Sequence, residues 1–166
     1  MPPEAVSTLR SLISSTAGAR GWFVTLLTNP DFEPVFRPPL DETLLSAISE
    51  TPDPNIKLMT MNVAMSTATE LAHAANGNAE LAAASRLTRD RSCVLLEALL
   101  DRLPGLREEV QALFSAVQPW RASDDGKPLP PAEANEEWVQ FTKKWGYSAN
   151  QRDAIRQRLA GLLAVR

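Results

Sequence analysis

His73 is the only histidine of the chain and Cys93 the only cysteine, which limits the chemistry at once. A Ser-His-Asp triad would have to use His73, and no Gly-x-Ser-x-Gly elbow accompanies it. Glu70 and His73 have the spacing of half a di-iron helix motif, with both side chains on one helical face. The ferritin-like site takes two such pairs, and a second histidine is absent. Zinc held by Cys and His fails on the same count. No glycine-rich loop fits a dinucleotide or P-loop pattern. The expectation is no metal and no cofactor. Catalysis is disfavoured but not closed, because carboxylate chemistry needs no histidine.

Four constellations remain. Asn62, Ser66, Thr69 and His73 are spaced by four, three and four, so they share one face of a helix. They read as the lining of a ligand pocket with Glu70 at its rim, or, more plainly, as small polar groups satisfied within a bundle. Arg86, Arg89, Asp90 and Arg91 form a charged run beside Cys93 and Glu97. It reads as an anion or partner site next to a thiol, or as a solvated helix face, and the second reading is preferred. Residues 143–166 hold Lys143, Lys144, Arg152, Arg156, Arg158 and Arg166 against Asp153 alone. That net of +5 leaves the first 142 residues at −8. Aromatics and arginines dominate binding hot spots, so Trp138, Trp145, Tyr147, Arg152 and Arg156 are the candidate partner-binding residues. The fourth is the aromatic and proline-rich stretch from Trp22 to Phe36. It offers an apolar groove, or packs over one end of a bundle.

Helices must position all of these, since no stretch alternates with period two. Residues 4–17 carry Val6, Leu9 and Ile13 on one face, with Gly18 and Gly21 as an interruption. The motif Gly18-Ala19-Arg20-Gly21 has the form of an RNA-binding clamp, but that domain needs strands. A short apolar helix through Trp22, Phe23, Leu26 and Leu27 ends at Pro30. Residues 29–39 read as an extended wrapping loop. Asp41 reads as an N-cap, and Leu40 with Leu45 as a hydrophobic staple. Asp53 and Pro54 start a helix that runs to about residue 76 and is apolar round most of its circumference, which predicts burial on most sides. Ala64, Ala68, Ala72 and Ala75 form a stripe for close helix approach. Asn76-Gly77-Asn78 closes this helix and caps the next, over 79–102. A further amphipathic helix follows Pro104-Gly105. Residues 119–132 are the candidate proline-rich linker. Two helices end the chain, the last opened by a capping box of Ser148 and Gln151.

The chain has 166 residues and a net charge of −3. That length suits one helical core domain, 1–118, with the 133–166 basic hairpin as an appended module that either packs back or stands apart. The net charge argues against a dedicated nucleic-acid binder, leaving weak binding by the hairpin as an alternative. A lone cysteine points to a reducing intracellular compartment, cytoplasm or plastid stroma. The opening residues lack secretory signal features, and no apolar run is long enough to span a bilayer.

The blocks Met61-Asn62-Val63-Ala64-Met65-Ser66-Thr67 and Arg86-Leu87-Thr88-Arg89-Asp90-Arg91 resemble uncharacterised helical proteins of algae and cyanobacteria. The resemblance implies a plastid or cytosolic setting and a supporting role around photosynthetic complexes.

The reading is an all-α protein, a bundle of about seven helices around the 54–102 hairpin. Its leading function is non-enzymatic interaction with a protein partner, acidic if the C-terminal hairpin is the docking module. The alternative is a small-molecule-binding or enzymatic bundle that uses the polar stripe.

Overall fold

The computed structural model describes residues 1–165. Among them are eight α-helices, one 3-10 helix and a minimal two-stranded ribbon. The helices are α1 (Pro3–Ile13), α2 (Thr16–Thr28), α3 (Glu42–Ser49), α4 (Pro52–Ala75), α5 (Ala79–Leu99), α6 (Leu106–Ala116), α7 (Glu136–Lys144) and α8 (Ala149–Ala164). The fold is all-α, with one more α-helix than the predicted seven.

The first two helices divide at Ser14-Ser15, not at the glycines. Ser15 is the N-cap of α2 and its hydroxyl accepts from the Gly18 amide at 3.1 Å. Gly18 and Gly21 then lie inside α2. Gly18 is required by close approach, because a Cβ there would stand 2.1 Å from the Leu12 carbonyl oxygen. The 29–39 stretch, predicted as an extended loop, instead holds a 3-10 helix over Pro30–Phe36, started by the Asn29 side chain accepting from the Asp31 amide.

Other starts follow the sequence signals. Asp41 accepts from the amides of Thr43 at 2.8 Å and Leu44 at 3.0 Å. Asp53 has extended backbone, so the continuous part of α4 begins after it at Pro54. Asn78 accepts from the Leu81 amide, and Gly77 takes the left-handed conformation with φ of +72°. Ser148 and Gln151 form the reciprocal capping box of α8.

The antiparallel hairpin α4–α5 is the centre of the packing. Helices α6 and α8 lie against α4, α7 lies against α6, and α1, α2 and α3 close the other side. Val63, Leu96, Leu99, Leu113, Ile155 and Leu159 are fully buried in one continuous core. Burial of α4 stops short of the expectation. Ala64 and Ala68 are buried, whereas Ala72 and Ala75 are exposed, so its last turns project with the start of α5 as a solvated tip.

Residues 119–132, read as a linker, contain the ribbon β1 (Arg121–Ala122) and β2 (Pro128–Leu129) around a turn at Gly126. The basic hairpin α7–α8 packs on the core through Trp138, Ile155 and Leu159. The Gln151 side chain donates to the Ala68 carbonyl at 3.0 Å and ties α8 to α4.

Candidate functional site

An open apolar groove of about 970 Å³ lies at the α1–α2–α3 end. Leu9 and Leu12 of α1 form one wall, and Trp22 and Leu26 of α2 form the floor. Phe32, Pro34 and Val35 of the 3-10 helix form the opposite wall, with Leu44 at the end. Leu12 is 44% exposed. The charged side chains in the lining are both acidic, Glu4 and Asp41. The Leu44 amide lowers the Asp41 carboxyl below the usual range, and the Met1 ammonium, also in the lining, pairs with it at 3.3 Å. Asp31 and Glu33 add exposed acids on the 3-10 helix.

One wall of this groove hangs on Arg91. Its guanidinium donates to the carbonyls of Leu26, Leu27 and Asn29 at 3.4, 3.3 and 2.8 Å. The Leu26 and Leu27 carbonyls are orphan acceptors at the C-terminal end of α2, where a cation is favoured, while the Asn29 carbonyl also accepts from the Phe32 amide at 3.2 Å. The same group pairs with Glu33 at 3.3 Å and lies 4.9 Å from the Phe36 ring centre. Arg91 is 3% exposed. The preferred sequence reading, a solvated face over 86–91, is therefore corrected at this position: the side chain turns inward to satisfy chain ends from another helix.

The rest of that run divides. Arg89 is buried and paired with Glu70 and Asp90, while Arg86 is exposed and donates to Glu70 at 2.8 Å. Cys93 is half-buried, and burial pushes its thiol up to about 11. That shift is opposite in direction to the lowered pKa of activated cysteines.

The polar stripe does not converge on a pocket. Ser66 donates to the Asn62 carbonyl within its own helix at 2.5 Å. Thr69 is exposed and His73 half-exposed on the projecting turns. Glu70 faces α5 and serves as the ion-pair partner of Arg86 and Arg89. A polar recess of about 410 Å³ does lie beside Glu70, Arg89 and Arg158, but Asn62, Ser66, Thr69 and His73 are not in its lining. Asn62 instead lines a separate recess with Val24, Met61, Met65 and Trp145.

The C-terminal candidates are also dispersed. Trp138 is 1% exposed and its indole donates to Glu109 at 2.8 Å, so it anchors α7 to α6 and is not a docking residue. Tyr147 packs edge-on against Phe141, and burial pushes its phenol up to about 12. Arg152 lies 4.2 Å over the Trp120 ring and donates to the Tyr147 carbonyl. Arg156 pairs with Asp153. Trp145 alone among the aromatics of this set is open, at 49% exposure. It sits over α2 and α4 beside Val24, Met61 and Met65.

Sequence reasoning marked the Trp22–Phe36 stretch but preferred packing over an end. It missed α1 as the second wall. The signal was Leu12, three residues from Leu9 and so at the edge of the same apolar face of α1. Fold and site together define an all-α bundle with an open, acid-rimmed apolar groove. Among the described residues no three His, Cys, Asp or Glu side chains gather as a metal cluster, and no helix is long and apolar enough to cross a membrane. The chain belongs to the family described as "Uncharacterised conserved protein UCP020893", whose model matches residues 2–162. No curated protein and no solved structure matches the chain.

Proposed function

We propose that this protein is a non-enzymatic interaction protein, an adaptor or assembly factor, whose N-terminal groove receives the apolar face of a partner helix. The groove carries the proposal. A contiguous apolar concavity rimmed by polar groups is the surface that amphipathic helices occupy, through anchors at i, i+3 or i+4, and i+7. Exposed acids about the rim, Glu4 and Asp31 beside the Met1-paired Asp41, favour a helix with basic residues flanking its apolar stripe. A single, protonated thiol is compatible with a reducing compartment. The resemblance of the 61–67 and 86–91 blocks supports an algal or cyanobacterial setting, cytoplasmic or plastid.

A second reading, a small apolar ligand, is favoured by the groove's volume, which falls within the roughly 300–1,000 Å³ of ligand pockets. Photocrosslinking separates the two. A benzophenone amino acid at Leu12, compared with one at exposed Gln157, is expected to capture a discrete protein in the native cell. Leu12→Glu in the same chain is expected to abolish capture from a second groove position, Val35. A Leu12 probe that captures no more protein than the Gln157 control would sink the interaction reading. A small molecule recovered by mass spectrometry from the purified chain, and lost with Leu12→Glu, would replace it.

A further inference from the structure

Helix α2 is apolar on two sides, and both are open. Trp22 and Leu26 face the groove. Arg20 and Val24 lie about 200° round the helix from Trp22, at roughly 100° per residue. They face a second recess of about 300 Å³ shared with Met61 and Met65 of α4 and with Trp145. Val24 is 62% exposed. Trp145 is the C-cap of α7, and Gly146 with φ of +63° turns the chain away just beyond it, leaving the indole standing over the recess.

The residue types are those that carry binding energy: a tryptophan, an arginine and adaptable methionines. The charge is opposite to that of the groove. Arg20 is the charged residue in the lining, and the Lys144 ammonium sits 6.0 Å from the Trp145 ring centre. Lys143 is exposed on the same helix end. The one ion-paired acid of α7 nearer its start, Glu137, is engaged by Lys57.

We propose that the Val24–Met61–Met65–Trp145 recess is a second docking surface, taking an acidic segment of a partner protein with apolar anchors between its carboxylates. It stands independently of the groove.

The test pans a displayed library of random 16-residue peptides against the intact protein and scores the enriched peptides on variants. The expected result is a class of peptides rich in Asp and Glu around Leu, Phe or Trp. This class binds Trp145→Ala and Lys144→Glu at least tenfold more weakly, weakens as salt is raised, and binds Leu12→Glu normally. Both variants alter exposed side chains, and an unchanged melting temperature verifies their folding. Enriched peptides that all ignore Trp145→Ala, or Trp145-dependent peptides that are neutral or basic, would overturn the proposal. So would a wild-type dimer in sedimentation that Trp145→Ala converts to monomer, since a second copy then covers the recess. A groove that fails its own crosslinking test leaves these outcomes unaffected.

Discussion

The Arg91 guanidinium stacks on the Phe36 ring at 4.9 Å while the same group donates to three carbonyls that end α2. One buried cation thus joins the central helix α5, the end of α2 and the 3-10 wall of the groove. Arg91→Met keeps the apolar stem and removes the donors, leaving carbonyls unsatisfied. The expected loss is about 3 kcal/mol of stability by chemical denaturation. Amide exchange over residues 29–36 is expected to accelerate while the middle of α5 stays protected. Equal protection loss in both regions would show that Arg91 holds the whole fold and not this wall.

Two glycines of α2 give opposite outcomes. Gly18→Ala drives a Cβ onto the Leu12 carbonyl, forcing α1 and α2 apart, and is expected to cost about 1–3 kcal/mol. Gly21 has nothing within 4 Å of a built Cβ. Gly21→Ala is expected to stabilise by roughly 0.5–1 kcal/mol through helix propensity. Melting curves of the two variants check the pair.

Glu70 and Arg86 differ in what they leave behind. Glu70→Ala leaves the buried Arg89 with Asp90 as its remaining counter-charge and is expected to cost about 1–3 kcal/mol. Arg86→Ala removes an exposed partner and is expected to change stability little. Comparable losses from both would refute a supporting role for Glu70 beneath Arg89.

Burial pushes the Cys93 thiol from 9.0 to about 11, with the Arg158 charge opposing. The native state therefore keeps a proton that the unfolded chain releases. This contribution to stability is complete below pH 9 and is lost as pH rises through about 11. Tyr147, raised from 10.0 to about 12 by burial, extends the loss upward. Denaturation at pH 8 and pH 10.5 is expected to show a fall, shallower in Cys93→Ala. Iodoacetamide labelling of the folded protein should rise with a midpoint near 11 in place of 9.

Much of the local structure was readable. Asp41, Asn78 and the Ser148–Gln151 box are short-range devices, in which a side chain satisfies amides two or three residues away, and each forms as its spacing implies. The Ser15 cap was readable in principle, but two glycines drew the break onto themselves. The candidate sites were far less legible. Glu70 and His73 share a face of α4, yet Glu70 meets α5 while His73 lies on the projecting tip. Periodicity orders side chains around one helix and says nothing of where the neighbouring helices end.

Helix content, the central hairpin, the caps and the single histidine and single cysteine followed from the sequence alone, because each depends on residues within a turn or two of one another or on composition. The groove, the inward turn of Arg91, the burial of Trp138 and the exposure of Trp145 were decided by tertiary structure. Each depends on which of several equally apolar surfaces finds a partner. That choice is settled by packing all the helices into one core, and an amphipathic pattern marks a face to be buried without naming what buries it.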